Sequence, residues 1–286
     1  MATPTEGLIR QRVRALARAL PAAQEGAPAA VHRARVATRR LRELLPLVHP
    51  GSRGRRLRRK VRRLTRALGP VRELDVALET LGGLAGEAPR AAVARLKQVL
   101  RQERRRLHDA MAREVQRVDF DTLRRQAIHA ARSQRRLDAA ARAARRAVRL
   151  RSAIESAGSI YLPDRLHEVR IAVKKLRYAL ELVRHVEGSR AVARLRRLKE
   201  AQDLLGRMHD LDVLVARVRA LQGSANAPTL RLSSDLDRLV RRLETECRQL
   251  HGHYMARRRA LLAICMHAAA APARRGRGKA RLSPAA

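Results

Sequence analysis

One segment of the sequence occurs twice, and that repeat restricts the possible folds more than any other feature. Residues 31–45 read VHRARVATRRLRELL and residues 166–180 read LHEVRIAVKKLRYAL. His32 matches His167, Arg35 matches Arg170, and Leu41-Arg42 matches Leu176-Arg177. Downstream, LGPVRELDV (68–76) echoes LGRMHDLDV (205–213), and ERRRLH (103–108) echoes ECRQLH (246–251). The order is kept while the offset grows from 135 to 137 to 143, as loop insertions produce. Such a chain is built from one unit used twice.

The unit is helical. Ala, Leu, Val and Arg dominate, and three of these are among the best helix formers. No alternating strand pattern occurs. Apolar spacing predicts helices over 28–48, 53–68, 71–83 and 88–117 in the first unit, with 121–131 a short extension. In the second it predicts 163–187, 189–206, 209–222 and 228–268. Segments 5–20 and 134–157 are helical approaches. Pro50-Gly51, Gly69-Pro70, Gly82-Gly83, Gly188 and Gly206 are expected to end helices, and Pro46 to kink or shorten the first. Pro163-Asp164 supplies a helix start. Residues 271–286 have no apolar periodicity and are expected to form a disordered basic tail.

Lys and Arg number 65 against 26 Asp and Glu, a formal net charge of +39. A compact chain with this charge repels itself, so an anionic partner is expected. Six of the basic residues are lysines and the rest are arginines, which grip phosphate through planar, bidentate contacts. Single-strand binders stack bases on aromatic rings. Phe120, Tyr161, Tyr178 and Tyr254 are the only aromatics here, which disfavours that ligand and leaves duplex phosphates or another polyanion. Cys247 and Cys265 lack metal or disulfide spacing, so no metal and no cofactor are expected. The first twenty residues lack the apolar core of a signal peptide, and no apolar run is long enough to span a membrane. A cytoplasmic location is expected.

On a helical wheel Ala34, Ala37, Leu41, Leu44, Leu45 and Val48 form one stripe, with His32, Arg35, Arg39 and Arg42 opposite. In the second copy Val169, Ala172, Leu176, Leu180 and Val183 stand opposite His167, Arg170, Lys174 and Arg177. Like charges at this spacing repel one another, so a face that keeps them twice points to a bound anion. The next helix adds Arg59 and Arg62, matched by Arg196 and Lys199. The fourth adds Arg105 and His108, matched by Arg248 and His251. The acidic pairs Glu73/Asp75 and Asp210/Asp212 follow the presumed helix stops, where they would cap N-termini. Alternatively they hold arginines toward a ligand. Acidic residues are otherwise scattered, so no catalytic residues are assigned and an enzyme is not expected.

HxxRVxxRRLR and HxxRIxxKKLR, each followed by a helix ending in LG and an acidic DV motif, resemble the CHAD family, the conserved histidine α-helical domain. The resemblance covers about 5–268, as one domain with halves at about 5–131 and 134–268. It implies an all-α fold of two pseudo-symmetric four-helix bundles with a basic groove or pore between them. It also implies binding of inorganic polyphosphate and association with polyphosphate granules. The family's basic positions fall on His32, Arg35, Arg39, Arg42, His167, Arg170, Lys174 and Arg177, and on Arg62 and Lys199 in the following helix. Glu73 replaces the family's first acid, and His209 stands where Arg is usual. The triphosphate-tunnel motif ExExK is absent, as in a stand-alone form. Duplex nucleic acid is the alternative partner.

Overall fold

The computed structural model describes residues 4–48, 51–84, 86, 88–133, 139–187, 192–224 and 229–270, and the basic tail lies outside them. Among the described residues there are nine helices and no strands. They are α1 (Pro4–Gln24), α2 (Pro28–Val48), α3 (Ser52–Gly83), α4 (Arg90–Gln116), α5 (Phe120–Ser133), α6 (Ala139–Ala157), α7 (Pro163–Glu187), α8 (Val192–Gln222) and α9 (Leu230–Ala270). None of them is long and apolar enough to cross a membrane.

Two expected stops are not stops. α3 runs through Gly69-Pro70 and α8 runs through Gly206. Pro70 costs its helix about 3 kcal/mol. However, the apolar stripe of α3 continues in register across it, through Leu64, Leu68, Val71, Leu74, Ala77 and Leu81, all buried. Each larger side chain of that stripe contributes roughly 1.5–3 kcal/mol on burial, so continuity wins. α8 carries a matching stripe through Leu198, Leu205, Met208, Leu211 and Leu214. α2 likewise runs past Pro46 to Val48. The capping role of the acidic pairs falls with the stops, because Glu73, Asp75, Asp210 and Asp212 lie within continuous helices.

With α3 and α8 unbroken, the approach helices become full members of the architecture. α1, α2, α3 and α4 pack in a closed ring, as do α6, α7, α8 and α9. Across the molecule α2 meets α7, α3 meets α8 and α4 meets α9, so three of the four helices of each ring touch their own counterparts. The buried side chains form two clusters, and neither belongs to one copy. The larger runs from Leu8 to Ala127 and from Ala139 to Ala268. The smaller joins the far ends of α3 and α4 (Leu74 to Leu100) to those of α8 and α9 (Leu211 to Cys247).

Candidate functional site

Because α2 lies against α7, most of the histidine–arginine faces of the two copies turn toward each other. A cleft of about 860 Å³ opens between them, flanked by α3 and α8. α2 contributes His32, Arg35 and Arg39, α7 contributes His167, Arg170, Lys174 and Arg177, and α8 contributes Lys199. Arg40, Arg72, Arg207 and His209 also line it, whereas its carboxylates are Glu73, Asp203 and Asp210.

The glycines expected to end helices make room for this cleft. Arg35 lies across α3 at Gly69 and donates from Nη1 to the Thr65 carbonyl at 3.2 Å. A Cβ on Gly69 would sit 2.8 Å from that nitrogen. In the second copy Arg170 lies over Gly206, where an added Cβ would stand 3.8 Å from Nε.

Drawing like charges together out of water weakens each of them. Burial first, and then Arg39 and Arg170, push the Arg35 guanidinium down to about 10. Lys174 is only 7% exposed. Burial, followed by Arg39, Arg170 and Arg35, brings its amine down to about 6. His32 and His167 are lowered by burial ahead of Arg72 and Arg170 respectively. His209, held between burial, Arg170 and His167, is pushed down to about 4.

The same contacts recur in the two copies with different side chains. Arg72 adjoins His32 in the first, while in the second His209 occupies the matching position, its Nδ1 3.1 Å from Nδ1 of His167. One of these rings donates to the other, so the pair cannot hold two protonated imidazoles in this arrangement. Glu73 acts on Arg35 as Asp210 acts on Arg170. Asp75 accepts from Arg104 Nε at 2.6 Å, and Asp212 accepts from Tyr161 Oη at 2.7 Å. Asp75 and Asp212 therefore fix donors within the helical packing, Arg104 and a tyrosine, in place of capping helix ends.

The remaining expected residues lie elsewhere. Arg42 is exposed on α2 near Arg62 and Arg66. Arg59, Arg62 and Arg196 project from α3 and α8, and Arg105 from α4. His108 Nε2–H donates to the Gln24 carbonyl at 2.9 Å, which helps to close the turn between α1 and α2. Its ring also occupies the space a side chain on Gly26 would need, and Gly26 has φ +86°. His251 meets Tyr161 edge-on, with centroids 5.4 Å apart. Arg248 lines a second cavity of about 660 Å³ beyond the His167–His209 pair. Within the cleft, Arg177 is tied to Gln202 at 3.0 Å and Glu181 at 2.5 Å, and Lys199 to Asp203 at 2.6 Å.

Arg40, Arg72 and Arg207 were not singled out by the sequence. Arginine is abundant everywhere in the chain, so composition could not separate these three from solvated neighbours. The repeat did contain a signal for Arg72, which occupies the LGPVRELDV position that holds His209 in LGRMHDLDV.

Fold and cleft together define a class: all-helical proteins that turn two cationic helix faces inward against each other. The CHAD domain family matches residues 7–219, and the chain belongs to that family. Its fold is similar to the crystal structure of the CHAD domain from the plant Ricinus communis, with 22% identity and a TM-score of 0.59. That match covers 95% of this chain and 93% of the other. It is similar also to PptA from Streptomyces chartreusis, with 18% identity, a TM-score of 0.60, and coverage of 93% and 100%. No curated protein matches the sequence.

Proposed function

We propose that the protein binds inorganic polyphosphate in the cleft between α2 and α7, at a basic groove related by a pseudo-two-fold axis between two four-helix bundles. The observation that carries this reading is the enforced proximity of Arg35, Arg39, Arg170 and Lys174, partly or fully buried and facing one another. Such an arrangement opposes folding unless an anion relieves it. A phosphate chain suits the site because each unit offers oxygens to a guanidinium fork and carries no base to be read. Packing of α2, α3 and α4 on their counterparts α7, α8 and α9 supports the symmetry, since a two-fold relation places elements near its axis beside their own equivalents. Membership of the CHAD family implies the same ligand, and the protein would gather where that polymer accumulates, in polyphosphate granules of the cytoplasm.

The cleft receives a single chain in preference to a duplex. Duplex phosphates would meet Arg59, Arg62 and Arg196 on the outer surface, which would make nucleic acid a weaker, salt-sensitive partner. Glu73 and Asp210 each act electrostatically on an arginine of the cleft, Arg35 and Arg170. They serve positioning, and the ligand is held without being hydrolysed.

The test compares two variants of equal charge at physiological salt. Replacing Arg35, Arg39 and Arg170 with Ala should weaken long-chain polyphosphate binding by at least about 1.5–3 kcal/mol, one charge-assisted contact, and more if losses add. Replacing Arg59, Arg62 and Arg196 should leave it nearly unchanged and lower duplex DNA binding instead. Equal loss of polyphosphate in both variants would mean diffuse attraction and no dedicated site. Phosphate release during incubation with polyphosphate would overturn the non-catalytic part of the reading.

A further inference from the structure

Among the described residues, Lys174 is the one buried basic side chain. It is 7% exposed, yet its side chain reaches the cleft. The charged groups that act on it most strongly are cationic: Arg39 and Arg35 from α2, and Arg170 and Lys175 from α7. His167 and His209, from α7 and α8, stand near enough to feel its charge. The cleft carboxylates Glu73 and Asp210 act on Arg35 and Arg170 instead. Beside it, Arg170 Nε is buried with no hydrogen-bond acceptor. An amine surrounded in this way has no reason to keep its proton, and the Arg170 Nε–H beside it has no acceptor to receive it.

We propose that in the ligand-free cleft Lys174 is a carbamylation site, its amine taking up carbon dioxide to form a carbamate held by Arg35, Arg39 and Arg170. An ordinary lysine is protonated at neutral pH and inert toward carbon dioxide. Here the amine is depressed to about 6, so its lone pair is free under the same conditions. Nitrogen attacks the carbon of carbon dioxide and a C–N bond forms. One C–O π pair moves onto oxygen, and the nitrogen gives up one proton to solvent. The site loses one unit of positive charge where four cations repel one another. Both carbamate oxygens can accept from guanidinium N–H groups in the planar fashion that carboxylates use. The cleft has ample room for the three added atoms.

Formation of the carbamate depends on the cleft alone. Its competition with polyphosphate rests on the binding reading above, because both anions need the same guanidiniums. Carbon dioxide would then set how much of the protein is open to the polymer.

The experiment uses the full chain, freed of bound anions and equilibrated with ¹³C-labelled bicarbonate in a low-salt buffer at mildly alkaline pH. Trapping with a trialkyloxonium salt and peptide mass spectrometry locates any carbamate, and ¹³C NMR reports it without trapping. The expected result is labelling at Lys174 well above that of Lys175 or exposed Lys60, and loss of the NMR signal in folded Lys174→Gln. No adduct at Lys174 under saturating carbon dioxide, or labelling equal to that of Lys60, would overturn the proposal. Long-chain polyphosphate should displace the label. A carbamate that persists in its presence would leave the modification standing and refute the cleft as the polymer's site.

Discussion

At Lys174, folding places an amine where its charge is least welcome, and this has a signed consequence for stability. The folded amine lies at about 6, below its ordinary 10.5. Between those values the unfolded chain holds a proton that the folded chain lacks, so the stability this residue withholds is restored as pH rises. Its penalty is complete below about pH 6 and fades toward 10.5. Lys174→Met should therefore raise the melting temperature near neutral pH by about 2 °C or more, an advantage that shrinks as pH rises. A bound polyanion reverses the bias, so polyphosphate binding should take up protons, seen as a buffer-dependent enthalpy in calorimetry. The glycines offer a second test at this scale. Ala at 69 or 206 removes a flexible residue from a helix interior and should contribute about 0.5–1 kcal/mol of stability. At Gly69 the new Cβ meets Arg35 Nη1 at 2.8 Å and must push it away. Gly69→Ala should thus melt no lower than the wild type while losing about tenfold in polyphosphate affinity. Gly206→Ala, with 3.8 Å of clearance, should keep its affinity.

Among the elements, α2 and α7 were legible in the sequence down to their faces, because apolar spacing repeats twice and charge follows it. α3 and α8 were not. A glycine or proline in a helical pattern signals an end when only local geometry is considered. Here Gly69 and Gly206 answer to arginines on neighbouring helices, at distances in sequence that no local rule spans. The placement of Asp75, Asp212 and His108 was hidden for the same reason, since their partners Arg104, Tyr161 and Gln24 come from other elements. Continuity of α3 makes Pro70 an interruption and not a hinge. Pro70→Ala should accordingly raise stability, by up to about 3 kcal/mol in denaturant unfolding, with polyphosphate affinity unchanged. A fall in affinity with no gain in stability would show that α3 bends in use.

The whole molecule departs furthest from the picture of two joined units. Repeats of this kind predict two bodies, each with its own core. Instead, both hydrophobic clusters draw on both copies. Fragments 4–133 and 139–270 should each fail to give a sharp melting transition alone, and should regain one when mixed. Two independent transitions in the intact chain would contradict this interdependence. Shared cores also fix the order of events as the protein is made. When α5 has been synthesised, the surfaces of α3 and α4 that will meet α8 and α9 have nothing to cover them, and the arginines of α2 still lie far from those of α7. The nascent chain therefore waits for its second half, and the contact that closes it presses cation against cation. Repulsion falls on the last step of folding, where a polyanion in the surrounding solution can relieve it. Refolding followed by stopped flow should show long-chain polyphosphate accelerating the final phase, with little effect on the earlier gain of helix. The polyanion proposed to bind the cleft would then be the counter-charge that lets the molecule close.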